Sequence, residues 1–245
     1  MRDRLAQVSS LVAVVLAWWL LALIIGRNIL PGPIETAPAL AELITTGTFL
    51  GPLVESLVRT FVGFTVGFSC GVAIGIIVAK VAWLELAFTP LLNIVLFAPT
   101  LVVIFLGIAI IGTQLVAIAV ITGIAVAPNV AIYMRDVMKD FDPEIAAMAD
   151  SFRAGRWQRV TDIYLPYLVP PMLAAARIGF SMSWKVVLLS EVFGFSGGLG
   201  FQIRINYGIY NLTALLAWLT VFVMALLIIE QVIRQTERVV VRWRP

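Results

Sequence analysis

From Thr60 to Ala79 the chain carries no charged side chain, and from Leu86 to Met134 it carries none for more than twice that length. Within these runs the apolar residues follow one another without period-two alternation. A hydrocarbon core about 30 Å thick is crossed by roughly 20 residues of helix. Backbone groups in lipid must be satisfied within the segment, and unbroken apolar runs do not suit a barrel, so the spans are helical. The pattern predicts six spans, at 8–26, 58–79, 86–108, 114–134, 168–190 and 212–233. The long charge-free run is divided at "GIAIIGTQ", Gly107 to Gln114, where two glycines, a threonine and a glutamine mark a turn at an interface.

Composition agrees with this solvent. Of the 245 residues 61% are hydrophobic and 13% charged, about half the charged share of a soluble domain. Arg2 and Arg4 before an apolar run resemble a secretory signal, but the run to Gly26 is long and lacks a small-x-small cleavage site, so it reads as an uncleaved span. Lys and Arg fall asymmetrically between the loops. Arg2, Arg4, Lys80, Arg135, Lys139, Arg153, Arg156, Arg159 and the arginines from Arg234 to Arg244 share one side, against Arg27, Arg59 and Arg204 on the other. The positive-inside rule then predicts both termini in the cytoplasm of a plasma-membrane protein. The net charge of +3 reflects that topology and not nucleic-acid binding.

The residue inventory removes several chemistries. There is no histidine and only Cys70, so a His or Cys metal site, a histidine-based triad and a disulfide framework are unavailable. No P-loop sequence occurs. "SGGLGFQ", Ser196 to Gln202, is glycine-rich but follows no strand, and makes a poor phosphate loop. An enzyme is not expected. In "GFTVGFSCGVAIG", Gly63, Gly67, Gly71 and Gly75 recur every fourth residue and so lie on one helix face, which predicts close packing against another backbone.

The most polar stretch, "DPEIAAMADSFRAGRWQRVTDIYLP" (142–166), occupies the longest inner connection, between the fourth and fifth spans. Asp142 as N-cap, Pro143 in the first helical position and Glu144 in the first turn signal a helix start. Ile145, Met148, Ala149 and Phe152 then form an apolar stripe. Trp157, Val160, Thr161 and Tyr164 share a face of a second helical piece, which Pro166 ends before the next span. The stripe needs a cover. Composition leaves a lipid interface and a socket on a soluble partner equally open.

Together with "ARIGFSMSWKVVLLSEVFG" and "GLGFQI", this stretch resembles the inner-membrane permeases of binding-protein-dependent ABC importers, the nitrate, sulfonate and taurine branch above all, over roughly residues 55 to 240. The family loop reads approximately E-A-A-x-x-x-G, about nine residues, then aliphatic-x-L-P. Here Ala147 stands for the glutamate, Met148 for an alanine and Arg153 for the glycine, while Ala149 agrees. The family glycine favours positive φ, so Gly155 is expected to take over the turn, with Glu144 or Asp150 supplying the missing acidic charge.

The resemblance implies an all-α type I importer permease forming one domain over 1–245, with a first span and outer loop to residue 56, a core over 57–240 and a cytoplasmic coupling loop over 136–166. It implies that Glu144, Ile145, Met148, Ala149, Asp150, Phe152 and Arg153 dock on a separate ATPase that holds ATP and magnesium, this chain binding no cofactor. A second permease copy, in a homodimer, and an extracytoplasmic solute-binding protein complete the expected partners.

Substrate candidates come from polar residues in spans. Lys185, with Trp184, Glu191, Arg204 and Tyr207, suits a small anion, although the aromatics would equally stack on a heterocycle. Arg177 reads as structural. A self-contained secondary transporter or channel, the alternative reading, is expected to show internal repeats and mid-span acids, and no clear repeat is found.

Overall fold

The computed structural model describes residues 2–153 and 155–240, without the side chains of residues 2–8, 11, 146, 150, 238 and 240. The arginines at 242 and 244 used in the charge count, and the side chains of Arg2, Arg4, Arg238 and Asp150, therefore lie outside the described residues. Every described element is a helix: α1 (Arg2–Ile25), α2 (Pro33–Thr46), α3 (Leu50–Lys80), α4 (Ala82–Phe97), α5 (Thr100–Ile111), α6 (Leu115–Lys139), α7 (Pro143–Ser151), α8 (Arg156–Arg159), a π-helical turn (Val160–Tyr164), α9 (Leu165–Phe193), α10 (Leu199–Gly208) and α11 (Leu212–Val240). The chain packs as two compact units, one of residues up to Ser56 with Glu191–Ala225, the other of Leu57–Ser190 with the chain from Leu226 onward.

In the first unit α1 and α2 are joined by a polar elbow. The Trp18 indole N–H donates to the Pro31 carbonyl at 3.1 Å, and Arg27 pairs with Glu35 at 3.0 Å. The other Glu35 oxygen accepts from the Gly32 amide at 2.9 Å, so one carboxylate both caps α2 and holds the elbow. Helices α2 and α10 were not anticipated, because neither carries a span-length apolar run.

The second unit is organised by the crossing of α3 on α6. A Cβ placed on Gly67 would lie 3.2 Å from the Cα of Gly123, one on Gly71 2.7 Å from the Val130 Cβ, and one on Gly75 2.5 Å from the Ala131 carbonyl oxygen. The glycine ladder is a packing surface, as its spacing implied. Beside it Val126, Val130, Met134 and Leu168 form a buried core, covered by Phe68, Val72 and Ile76.

Among the described residues, four helical runs are long and apolar enough to cross a bilayer: α3, α6, the continuous run from Arg156 to Phe193, and α11 to Glu237. The predicted span at 86–108 is not one helix. It breaks at Ala98–Pro99, where α4 and α5 meet at 92°, and only if this pair counts as one span are there five. Proline at 99 lacks an amide and disfavours helical geometry in the residue before it, which the count of apolar residues ignored. The turn expected within 107–114 is present, at Gly112, whose φ of 88° ends α5. The first predicted span falls on α1, whose apolar part is Val12–Ile25.

A second correction concerns Pro166, which does not end a helix. The chain passes through it without interruption because the preceding turn is widened, the Leu165 amide bonding to the Val160 carbonyl five residues back. A proline ring clashes with the carbonyl four residues earlier, and a π-turn opens the room it needs.

Candidate functional site

The connection between α6 and α9 begins as its sequence implied. Asp142 caps α7, its Oδ1 accepting from the Glu144 amide at 2.8 Å. Along α7, Ile145 and Met148 are exposed, and Phe152 just beyond the helix is 80% exposed. Ala149 is buried and faces inward, so the apolar stripe presents three side chains outward and not four. Trp157, on the short α8, adds a further exposed ring.

The turn after α7 departs from expectation. Arg153 itself holds a φ of 50°, while Gly155 has the extended geometry of an N-cap, φ −63° and ψ 160°, its amide donating to Gln158 Oε1 at 3.0 Å. Arg153 thus adopts the left-handed conformation at the position where the family has glycine, and Gly155 starts the next helix.

The loop is tied to the helices that flank it. The Phe141 ring contacts the Tyr164 ring at 5.1 Å and the Tyr167 ring at 5.0 Å, the Lys80 ammonium lies 5.4 Å from the Tyr164 centroid, and the Tyr167 hydroxyl donates to the Val137 carbonyl at 3.0 Å. This cluster joins the ends of α3 and α6 to the π-turn. It escaped the sequence reading because its members are spread over 80–167 without a periodic signature.

The glycine-rich stretch before α10 has a definite role. Gly197 and Gly198 take φ of 81° and 87°, and a Cβ on either would strike a carboxylate, that of Glu55 or Glu191 respectively. Glu191 is fully buried and accepts from the Ser56 hydroxyl and, at 3.0 Å, from the Gly200 amide, while the Leu199 amide donates to Ser56 Oγ at 2.9 Å. At the N-terminus of α10 the orphan amides are met by the chain's own Ser56 and Glu191 side chains. The Glu191 carboxyl is thus enclosed by Ser56, Gly198 and Gly200. Arg204 lies beyond, its guanidinium 4.9 Å from the Phe201 ring centroid and within 3.4 Å of the Phe195 carbonyl, and Tyr207 is exposed.

On α9 the buried face carries Phe180, Ser183, Trp184 and Val187, which removes the Trp184 ring from any open surface. Lys185 is exposed. Arg177 pairs with Glu237 at 3.5 Å and Ser181 donates to Glu230 at 3.2 Å, a ladder fastening α9 to the end of α11 and in keeping with a structural Arg177. Among the described residues no group of His, Cys, Asp and Glu is placed to hold a metal ion.

Comparison with known proteins agrees with this architecture. The family described as binding-protein-dependent transport system inner membrane component matches residues 71–233. The riboflavin transport system permease protein RibX of Chloroflexus aurantiacus is 26% identical over 67% of this chain, an alignment spanning 62% of that relative. The aliphatic sulfonates transport permease protein SsuC of Bacillus subtilis is 24% identical over 90% of this chain and 80% of its own. An inward-facing structure of the MetNI methionine ABC transporter superposes with a TM-score of 0.66 at 24% identity, covering 76% of this chain and 93% of that one. The matched region runs from Gly71, midway along the glycine ladder of α3, through the loop and α9 into α11, and on that match the chain belongs to the family of binding-protein-dependent transport system inner membrane components.

Proposed function

We propose that the chain is the pathway-forming permease subunit of an ATP-driven importer, that it works with a second permease copy, and that its α6–α9 connection is the cytoplasmic contact for a separate ATPase. In this reading α1, α3, the bent α4–α5 pair, α6, α9 and α11 make six crossings with both termini inside. ATP and magnesium belong to the ATPase, and an extracytoplasmic binding protein delivers a small solute. The observation that carries the proposal is the uncovered apolar surface of the loop. Ile145, Met148 and Phe152 would each gain roughly 1.5–3 kcal/mol on burial, so a surface held open by a well-capped helix calls for a partner. Glu144 and Arg153 lie at its rim, where charges contribute to encounter and orientation more than to affinity.

Phe152 is the anchor. Co-purification of the full permease with its co-expressed ATPase tests it. Phe152→Ala is expected to release the ATPase or uncouple hydrolysis from transport, since truncating a buried aromatic anchor costs about 2–4 kcal/mol. Arg153→Ala should be milder and more salt-sensitive. Unchanged ATPase retention in Phe152→Ala, with loss of vesicle binding by a 142–166 peptide carrying the same change, would favour the lipid-interface reading instead.

A further inference from the structure

A cavity of about 180 Å³ opens between α6 and α9 in the second unit, walled by Asn129, Tyr133, Ile178, Gly179 and Met182. Engineered apolar cavities of roughly this size take up a single aromatic ring. Its wall is mostly apolar, with one amide and one phenol four residues apart on α6 and therefore on one face. Asn129 donates its N–H₂ to the Ala125 carbonyl at 3.1 Å and the Met182 sulfur at 3.6 Å. Met182 also borders a second, smaller cavity of about 20 Å³, room for one water, beside Ala98 and Thr100 at the break between α4 and α5. Irregular backbone at membrane depth is tolerated where it is buried in protein or lines a cavity. The break and the pocket thus meet on one methionine.

The charge at this site comes from helix register. Ile178, Met182 and Lys185 stand at i, i+4 and i+7 on α9, so Lys185 shares the cavity's face, one turn beyond Met182. Ile178 is exposed on that face, and so is Lys185. Lys185 lies eight residues from the end of α9, roughly 12 Å along the axis, and among the described residues no carboxylate pairs with it. An unpaired cation at that depth is costly, and such residues mark solute or ion pathways.

We infer that the α6–α9 cavity and Lys185 form one composite site for a small organic anion with an apolar, ring-sized body, the body seated against Ile178 and Met182 and the anionic group meeting Lys185. This rests on the permease reading and names its solute class. Neither half suffices alone. The cavity carries no charge to hold a bare inorganic anion, and Lys185 by itself would not distinguish one anion from another.

Three small probes separate the parts: benzenesulfonate has ring and charge, benzamide the ring alone, and methanesulfonate the charge alone. The reporter is Ile178→Cys in the full chain carrying Cys70→Ser, in lipid nanodiscs, with its rate of alkylation by N-ethylmaleimide followed by mass spectrometry. Benzenesulfonate is expected to slow alkylation at least five-fold, benzamide about two-fold and methanesulfonate not at all. Lys185→Gln should lower the benzenesulfonate effect to that of benzamide, and Lys185→Arg should restore it. A cysteine in place of exposed Ile228 on α11 reports partition into lipid and should be insensitive to all three.

Equal protection by benzenesulfonate and benzamide, protection by methanesulfonate alone, or a benzenesulfonate effect that survives Lys185→Gln overturns the composite site. An Ile178→Cys that never reacts puts protein over the cavity and overturns it too. The assay needs no ATPase. Failure here with loss of ATPase retention in Phe152→Ala would leave the permease reading standing, whereas the converse would spare the site and remove the importer assignment.

Discussion

Ser56 and Glu191, 135 residues apart in sequence, meet side chain to side chain, the serine hydroxyl lying 2.9 Å from one carboxylate oxygen and 2.8 Å from the other. Serine and glutamate jointly satisfy the first two amides of α10, those of Leu199 and Gly200. Removing the carboxylate with Glu191→Ala orphans buried donors at about 1–3 kcal/mol each. The expected result is a lower melting temperature of the purified chain and faster amide exchange across 197–208. Glu191→Gln, which keeps an acceptor, should lose less, and equal stability of Glu191→Ala and wild type would refute the capping role.

The glycine seam makes a graded prediction. Gly71→Ala and Gly75→Ala place a methyl where Val130, Ala131 and Met134 already stand, an overpacking cost of about 1–3 kcal/mol. Gly51→Ala, at the start of the same α3 with open space around its Cβ, should be neutral or slightly stabilising. Unfolding of the three variants in one detergent gives the ranking, and a destabilised Gly51→Ala with a tolerant Gly75→Ala would contradict the crossing.

Arg153 occupies a left-handed conformation that costs an L-residue about 1–2 kcal/mol. Arg153→Gly should therefore slow amide exchange in α7, and Arg153→Val, β-branched, should speed it. If all three chains exchange alike, the turn exerts no constraint on α7.

Topology is open to a direct experiment. Lys139 pairs with Glu85, which puts the end of α6 and the start of α4 side by side. Reporters inserted near Glu85 and Lys139 should both be cytoplasmic, and one after Thr46 at the end of α2 should be extracytoplasmic. Opposite locations for residues 85 and 139 would break the six-crossing proposal.

Much of this was legible in the sequence, for identifiable reasons. The glycine ladder, the cap at Asp142 and the turn near Gly112 are local signals whose geometry follows from a few neighbours. The break at Ala98–Pro99 was equally local, but a count of charged and apolar positions passes over an uncharged proline without registering its backbone restriction. The Ser56–Glu191 pair and the aromatic cluster about Tyr164 were invisible because they depend on contacts across long separations. Asn129 was the missed hint: an amide well inside the predicted span 114–134 is costly enough in lipid to ask for a purpose.

The π-turn at Val160–Tyr164 holds one residue more than an α-helical path would between the same two points. Each residue of a helix turns its side chains by about 100°, so the surplus sets the phase between everything before Val160 and everything after Tyr164. Exposed Trp157 owes its azimuth relative to α9 to that single residue. Deleting one position within 160–164 would leave the composition of both surfaces intact and aim the loop in another direction, so that a residue count, as well as the Phe141–Tyr167 contact, keys the loop to the span.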